Sequence, residues 1–244
     1  MSRTATALRL GLREYARTPV LLALFAFLPV YFVAVFASVA PSTLVPVHLP
    51  GGGTVTRATA DAVVVLVAPI VTALVVGITG LFVLRATADA DSRLVIAGYD
   101  VRSVVFARFG VLAVVALVET IVTVAVALAF VSPDHLGGFA LGILLAGATY
   151  GAVGVAVGVV LDRLSGVYVM LFGPTLDVFL FQNPMTGSTS DVAALLPGHY
   201  ASELVVAGAF AGDLPVESLG WGLVYLLGVG VVAGWAFVRS ARPA

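Results

Sequence analysis

An all-α, polytopic membrane protein is the fold class this sequence predicts, on three observations. Hydrophobic residues make up 61% of the chain and charged residues only 10%, whereas an ordinary globular domain carries roughly 25% charge. The mean hydropathy is +1.13. The apolar residues also gather into runs long enough to cross about 30 Å of hydrocarbon as helix, with the basic residues between them. So few charges cannot cover a water-soluble surface of 244 residues.

The elements follow in order. Residues 1–18 carry Arg3, Arg9, Arg13 and Arg17. Arg9, Arg13 and Arg17 share one helix face while Leu8, Leu12 and Tyr15 fall on another, which predicts an amphipathic helix lying on the membrane surface or a plain basic anchor. The first span is expected at about 19–40. Small residues at Ala37 to Ala40 raise the alternative of a cleaved leader, but the apolar run is too long for one and Pro41 would follow the cut. Further spans are expected at about 62–84, 109–131, 139–161, 167–181 and 219–238. The fifth is short, so it is expected to start earlier, tilt, or break near Gly173 and Pro174.

Six spans with both termini inside put Arg3, Arg9, Arg13, Arg17, Arg85, Arg93, Arg102, Arg108, Arg163, Arg239 and Arg242 on the cytoplasmic side. Arg57 alone falls outside, the asymmetry expected of a multi-pass protein of the cell membrane. The outer segment 191–210 is largely apolar but interrupted by Pro197-Gly198, so it reads as interfacial or re-entrant helix before the last span, not as a seventh span. In the fourth span Gly138 and Gly142, Gly147 and Gly151, and Gly154 and Gly158 are each spaced for close helix approach, within the chain or between subunits.

The composition also excludes functions. A net charge of −1 with dispersed Arg leaves no basic patch for nucleic acid. With no Cys there is no thiolate chemistry. With no Lys there is no Walker A loop, because that loop uses Lys to reach the phosphates of ATP. No intramembrane hydrolase constellation is present, so no catalytic residue is assigned and the chain is not expected to be an enzyme. His48, His135 and His199 all fall on the outer side, His199 four residues before Glu203 and His135 beside Asp134. Without a metal-site motif they read as surface polar residues, and no metal or cofactor is assigned.

The loop 85–108 between the second and third spans is longer and more charged than a connector needs. Asp91 or Ser92 is placed to cap a short helix through Ala97, Gly98 to end it, and Asp100 to cap the helix that follows. A capped cytoplasmic helix of this kind suggests a docking element for a soluble partner. Two acids fall inside spans, Glu119 in the third and Asp177 in the fifth. A charge at mid-membrane costs at least about 2.5 to 3.5 kcal/mol. Each is either satisfied structurally, by protonation or by bonds to Thr120, Thr123 or Gln182, or lines a path for cargo or protons.

The basic N-terminal helix, the six spans and the loop 90–108 together resemble the membrane subunit of ABC-2 type transporters. The resemblance implies that this loop holds a coupling helix fitting a groove on a separate ATPase subunit. Leu94, Gly98 and Arg102 match the family outline, while Ala90-Asp91-Ser92 stands in place of a Glu-Gly pair and Gly98-Tyr99 in place of Leu-Pro. Carried over to this chain, the docking residues are Asp91, Ser92, Arg93, Leu94, Ile96, Gly98, Tyr99 and Arg102. The segment 195–200 is similar to the family's outer re-entrant region. The resemblance further implies export, pairing with a second copy or a sister permease in the lipid bilayer, and ATP with magnesium on the partner ATPase. A proton-coupled carrier or small channel using Glu119 and Asp177, or a non-transporting membrane scaffold, are the alternatives.

Overall fold

A computed structural model of the chain describes Arg9, Arg13, Arg17 and residues 19–86, 101–187 and 192–240. Arg9 and Arg13 are helical, and all three of these Arg residues are exposed. Leu8, Leu12 and Tyr15, which complete the expected amphipathic helix, lie outside the described residues.

Seven helices and one hairpin are described in chain order: α1 (Pro19–Val39), β1 (Leu44–His48), β2 (Thr54–Ala58), α2 (Thr59–Ala86), α3 (Val101–Ala127), α4 (Leu136–Val160), α5 (Arg163–Leu176), α6 (His199–Phe210) and α7 (Val216–Ser240). A π-helical turn, Asp177–Phe181, extends α5, and a 3-10 turn, Ala193–Leu195, precedes α6. Among the described residues, five helices are long and apolar enough to cross a membrane, and the apolar part of α1, Phe25–Val39, is shorter. The chain is thus a mostly helical, multi-pass membrane protein.

α2 is apolar on every side and forms the axis of the bundle, as all-round hydrophobic helices do. Its membrane-length stretch is 94% buried, against 17% for α7, which therefore lies at the rim. The tightest packing joins α2 to α4, and glycine makes it possible. A Cβ at Gly154 would collide with the carbonyl of Gly77, and one at Gly80 with the carbonyl of Gly151. Gly147 and Gly151 sit against Thr72 and Val76 in the same seam. Gly138 and Gly142 serve α6 in the same way, against Gly208 and Val205. Of the two uses open for this glycine ladder, these five positions serve packing within the chain.

The hairpin is a feature the all-α reading leaves out. Its strands pair antiparallel, from Leu44 opposite Ala58 to His48 opposite Thr54. Gly51, Gly52 and Gly53 all have positive φ between them, a conformation strained for any other residue. Val47 is fully buried beneath it, and the His48 N–H donates to the carbonyl of Pro184 at 2.8 Å, tying the hairpin to the segment after α5.

α5 starts at Arg163, ahead of the expected start at residue 167. Asp162 explains why: its carboxylate caps the helix by accepting from the Ser165 N–H at 3.2 Å, and the Arg163 guanidinium lies 4.7 Å from the Phe82 ring centre. The helix is not broken at Gly173 and Pro174. It continues instead through Pro174, which has no N–H for the regular ladder, into the π turn that begins three residues later. The segment before the last helix becomes α6, and its residues Leu204 to Phe210 are buried against α4.

Candidate functional site

Three places bear on function: the segment 87–100, the interior of α3, and the end of the bundle that carries the hairpin. Asp91, Ser92, Arg93, Leu94, Ile96, Gly98 and Tyr99 lie outside the described residues, and Arg102 lies in the first turn of α3.

Inside the bundle, Glu119 has no exposed surface, and neither carboxylate oxygen has a hydrogen-bond partner among the described residues. The partners expected for it are engaged elsewhere. Thr120 donates to the Ala116 carbonyl at 2.7 Å, and Thr123 accepts from Thr72 at 3.0 Å, one turn along α3 from Glu119. Gln182 belongs to Asp177. None of those three residues bonds to Glu119 among the described residues, which leaves protonation as the structural reading and a path for cargo or protons as the other. Their side chains follow local helix and cross-helix bonds that sequence spacing does not reveal. Polar atoms left unpaired inside a protein are rare and call for an explanation.

Asp177 is the opposite case. Its Oδ2 accepts from the Tyr150 hydroxyl at 2.5 Å and from the Gly198 N–H at 2.7 Å, and its Oδ1 from Gln182 Nε2 at 3.2 Å. Three segments distant in sequence, α4, the π turn and the approach to α6, meet on this one carboxylate. Gly198 is required there, since a Cβ would press on Asp177 Oδ2. Asp177 thus locks the turn that feeds α6, with Gln182 as the partner its sequence neighbourhood suggested.

Gln182 extends the network. Its Nε2 also donates to the Ala193 carbonyl at 2.9 Å, and its Oε1 lies 3.0 Å from His199 Nδ1. His199 Nε2 is in turn 3.5 Å from Glu203 Oε1. His135 caps α4, accepting from the Gly138 N–H at 2.8 Å, while Arg57 pairs with Asp134 at 2.7 Å. His48 and His199, far apart in sequence, line one cavity at the hairpin end. A second, apolar groove of about 280 Å³ opens between α1, α2 and α5, lined by Phe32, Phe36, Ile70, Leu74, Phe172 and Phe179 among others.

The comparisons with known proteins decide the class. Residues 37–239 match the family described as ABC-2 family transporter protein. The chain belongs to that ABC-2 transporter family. None of the curated proteins compared with it matches. The match runs from the end of α1 to the end of α7, so it takes in the hairpin, Glu119, the Asp177 network and the segment 87–100 together. An ABC-2 permease is the membrane component of an ABC transporter, not an enzyme, and permeases of this family generally work with an ABC ATPase subunit. What the sequence left unseen at the hairpin end is the assembly itself. His199 and Glu203 were legible as a helical pair, but their link through Gln182 to Asp177 and Tyr150 exists only once α4, α5 and α6 are packed.

Proposed function

We propose that this permease is the membrane subunit of an exporter whose energy comes from separate ATPase subunits carrying ATP and magnesium. The observation that carries the reading is the family match across residues 37–239, joined to a chain that has no Lys and so no Walker A loop of its own. The segment 85–108 is the docking element, with Leu94 and Ile96 as its apolar contacts and Asp91, Ser92, Arg93, Gly98, Tyr99 and Arg102 around them. Closure of the ATPases on ATP pushes this element, and the bundle alternates between two arrangements with different affinity for cargo.

In this reading α1 is the sixth span, since it is 21 residues long and apolar throughout. Both termini face the cytoplasm, and the hairpin end faces outward. The Arg distribution supports the orientation: Arg57 is at the hairpin end, while Arg163 and Arg239 sit at or near helix ends away from it. The transport unit pairs two permeases in the cell membrane, and the exposed aromatic residues Phe27, Tyr31, Tyr168 and Phe172 on α1 and α5 leave apolar surface for lipid or for a second permease.

Glu119 is the candidate contact along the translocation path, because it alone of the two intramembrane acids lacks protein partners among the described residues. Asp177 positions the outer turn. The test is reconstitution of the permease with its ATPase in proteoliposomes. ATP turnover by the ATPase is expected to depend on the permease and to be lost in Leu94→Asp and Ile96→Asp. Turnover indifferent to both substitutions contradicts the docking assignment, and cargo movement that proceeds without nucleotide but fails in Glu119→Gln favours a proton-coupled carrier.

A further inference from the structure

At the hairpin end, a cavity of about 360 Å³ lies between the Leu49–Gly53 turn and the first half of α6. We propose that it binds the protonated amino group of a small organic amine, with the Glu203 carboxylate and His199 Nε2 as acceptors.

Hydrogen-bond accounting leads there. Gln182 Nε2 donates to Asp177 Oδ1 and to the Ala193 carbonyl, both of which only accept. Its Oε1 therefore faces His199, and the His199 proton sits on Nδ1 to meet it. In the proposed complex Nε2 accepts from the ammonium beside Glu203 Oε1, from which it lies 3.5 Å. A charge-assisted bond between the two would be about 2.7 to 2.9 Å, so the pair is left open for a donor. Ser202, one turn after His199 on α6, lines the cavity too. It is 6% exposed, and its Oγ has no partner among the described residues.

Charge sets the sign of the ligand. Among the described residues neither Arg nor Lys lines the cavity, and Arg57, on β2, is engaged by Asp134. Among the described residues Glu203 is the one carboxylate lining it, beside the imidazoles of His48 and His199, and it supplies the counter-charge for a cation. Among the described residues no three His, Asp or Glu side chains converge as a metal site, which favours a cation held by hydrogen bonds over one held by coordination. Phe181 and Val206 supply apolar wall for a short carbon body behind the ammonium. The amine can be free in solution or the headgroup of phosphatidylethanolamine.

The experiment titrates n-butylammonium into the purified full chain in phosphatidylcholine nanodiscs, with N,N,N-trimethylbutylammonium as a probe of equal charge and no N–H. The primary amine is expected to bind saturably and about tenfold or more tighter than the trimethyl analogue, and to weaken by about as much in Glu203→Gln. Competition by added phosphatidylethanolamine assigns the headgroup, and its absence assigns a soluble amine. Equal binding of the two probes, no saturable binding of butylammonium, or Glu203-dependent stabilisation by zinc chloride with no response to the amine would each overturn the proposal. The two-probe comparison uses the unaltered chain, so it decides even if Glu203→Gln does not fold. It reads binding alone, so its outcome is independent of the ATPase assignment.

Discussion

The Arg57 guanidinium on β2 donates to the Asp134 carboxylate at 2.7 Å, joining the hairpin to the turn that opens α4. The same Nη2 reaches the Phe210 carbonyl at 3.3 Å, and the guanidinium lies 5.3 Å from the Phe210 ring centre. One side chain thus pins three segments at the hairpin end. Both partners are about a third or more exposed, so water screens the pair and its coupling should be about 0.2 to 1 kcal/mol. Arg57→Ala should cost more than Asp134→Ala, because it also removes the contacts to Phe210. A double-mutant cycle by thermal unfolding in nanodiscs measures both quantities, and equal single-site losses would show that Phe210 contributes nothing.

The Asp177 lock should be costlier to break. Asp177→Ala leaves the Tyr150 hydroxyl, the Gly198 N–H and one Gln182 N–H without their acceptor, at about 1 to 3 kcal/mol for each buried group that finds no substitute. Tyr150→Phe removes one donor from a carboxylate that keeps two, and should cost about 1 kcal/mol. Denaturant unfolding in detergent ranks the two, and Tyr150→Phe as damaging as Asp177→Ala would mean that Tyr150 carries the lock through packing.

Glycine substitutions separate the seam from the rim. Gly154→Ala forces the α2–α4 contact apart and should destabilise by about 1 to 3 kcal/mol. Gly220 on α7 has open space where its Cβ would be, so Gly220→Ala should be neutral or stabilise by up to about 1 kcal/mol through helix propensity. Thermal stability of both variants is the check, with the reverse order contradicting the packing described.

Glu119 should trade stability against function. Glu119→Leu removes an unpartnered buried carboxyl group and should leave thermal stability unchanged or raise it by roughly 1 kcal/mol or more. Cargo transport in proteoliposomes should fall in the same variant. Lost stability together with retained transport would make Glu119 a structural residue.

The bundle was legible in the sequence because membrane helices announce themselves by length and apolarity, and the glycine ladder because close approach leaves a fixed spacing. The hairpin was also written there, in the β-branched and apolar alternation of Leu44 to Val47 and Thr54 to Arg57 around Gly51, Gly52 and Gly53. That alternation is short and lies between two strong apolar runs, whose hydropathy dominates the pattern. His135 read as a candidate polar surface residue, yet it caps α4, a role visible only from where that helix starts. The satisfaction of Asp177 was half legible: Gln182 is five residues away, but Tyr150 and Gly198 come from other elements. The isolation of Glu119 was not legible, because Thr120 and Thr123 are neighbours in sequence whose bonds go elsewhere.

Whether a separate ATPase drives this permease through the segment 85–108 is tested most directly by affinity purification of the tagged chain from mild detergent with mass spectrometry of the co-purifying proteins. A P-loop ATPase should be recovered with the unaltered chain and lost with Leu94→Asp, while the variant still inserts and folds. A preparation free of any ATPase, or an ATPase retained undiminished by Leu94→Asp, would contradict it.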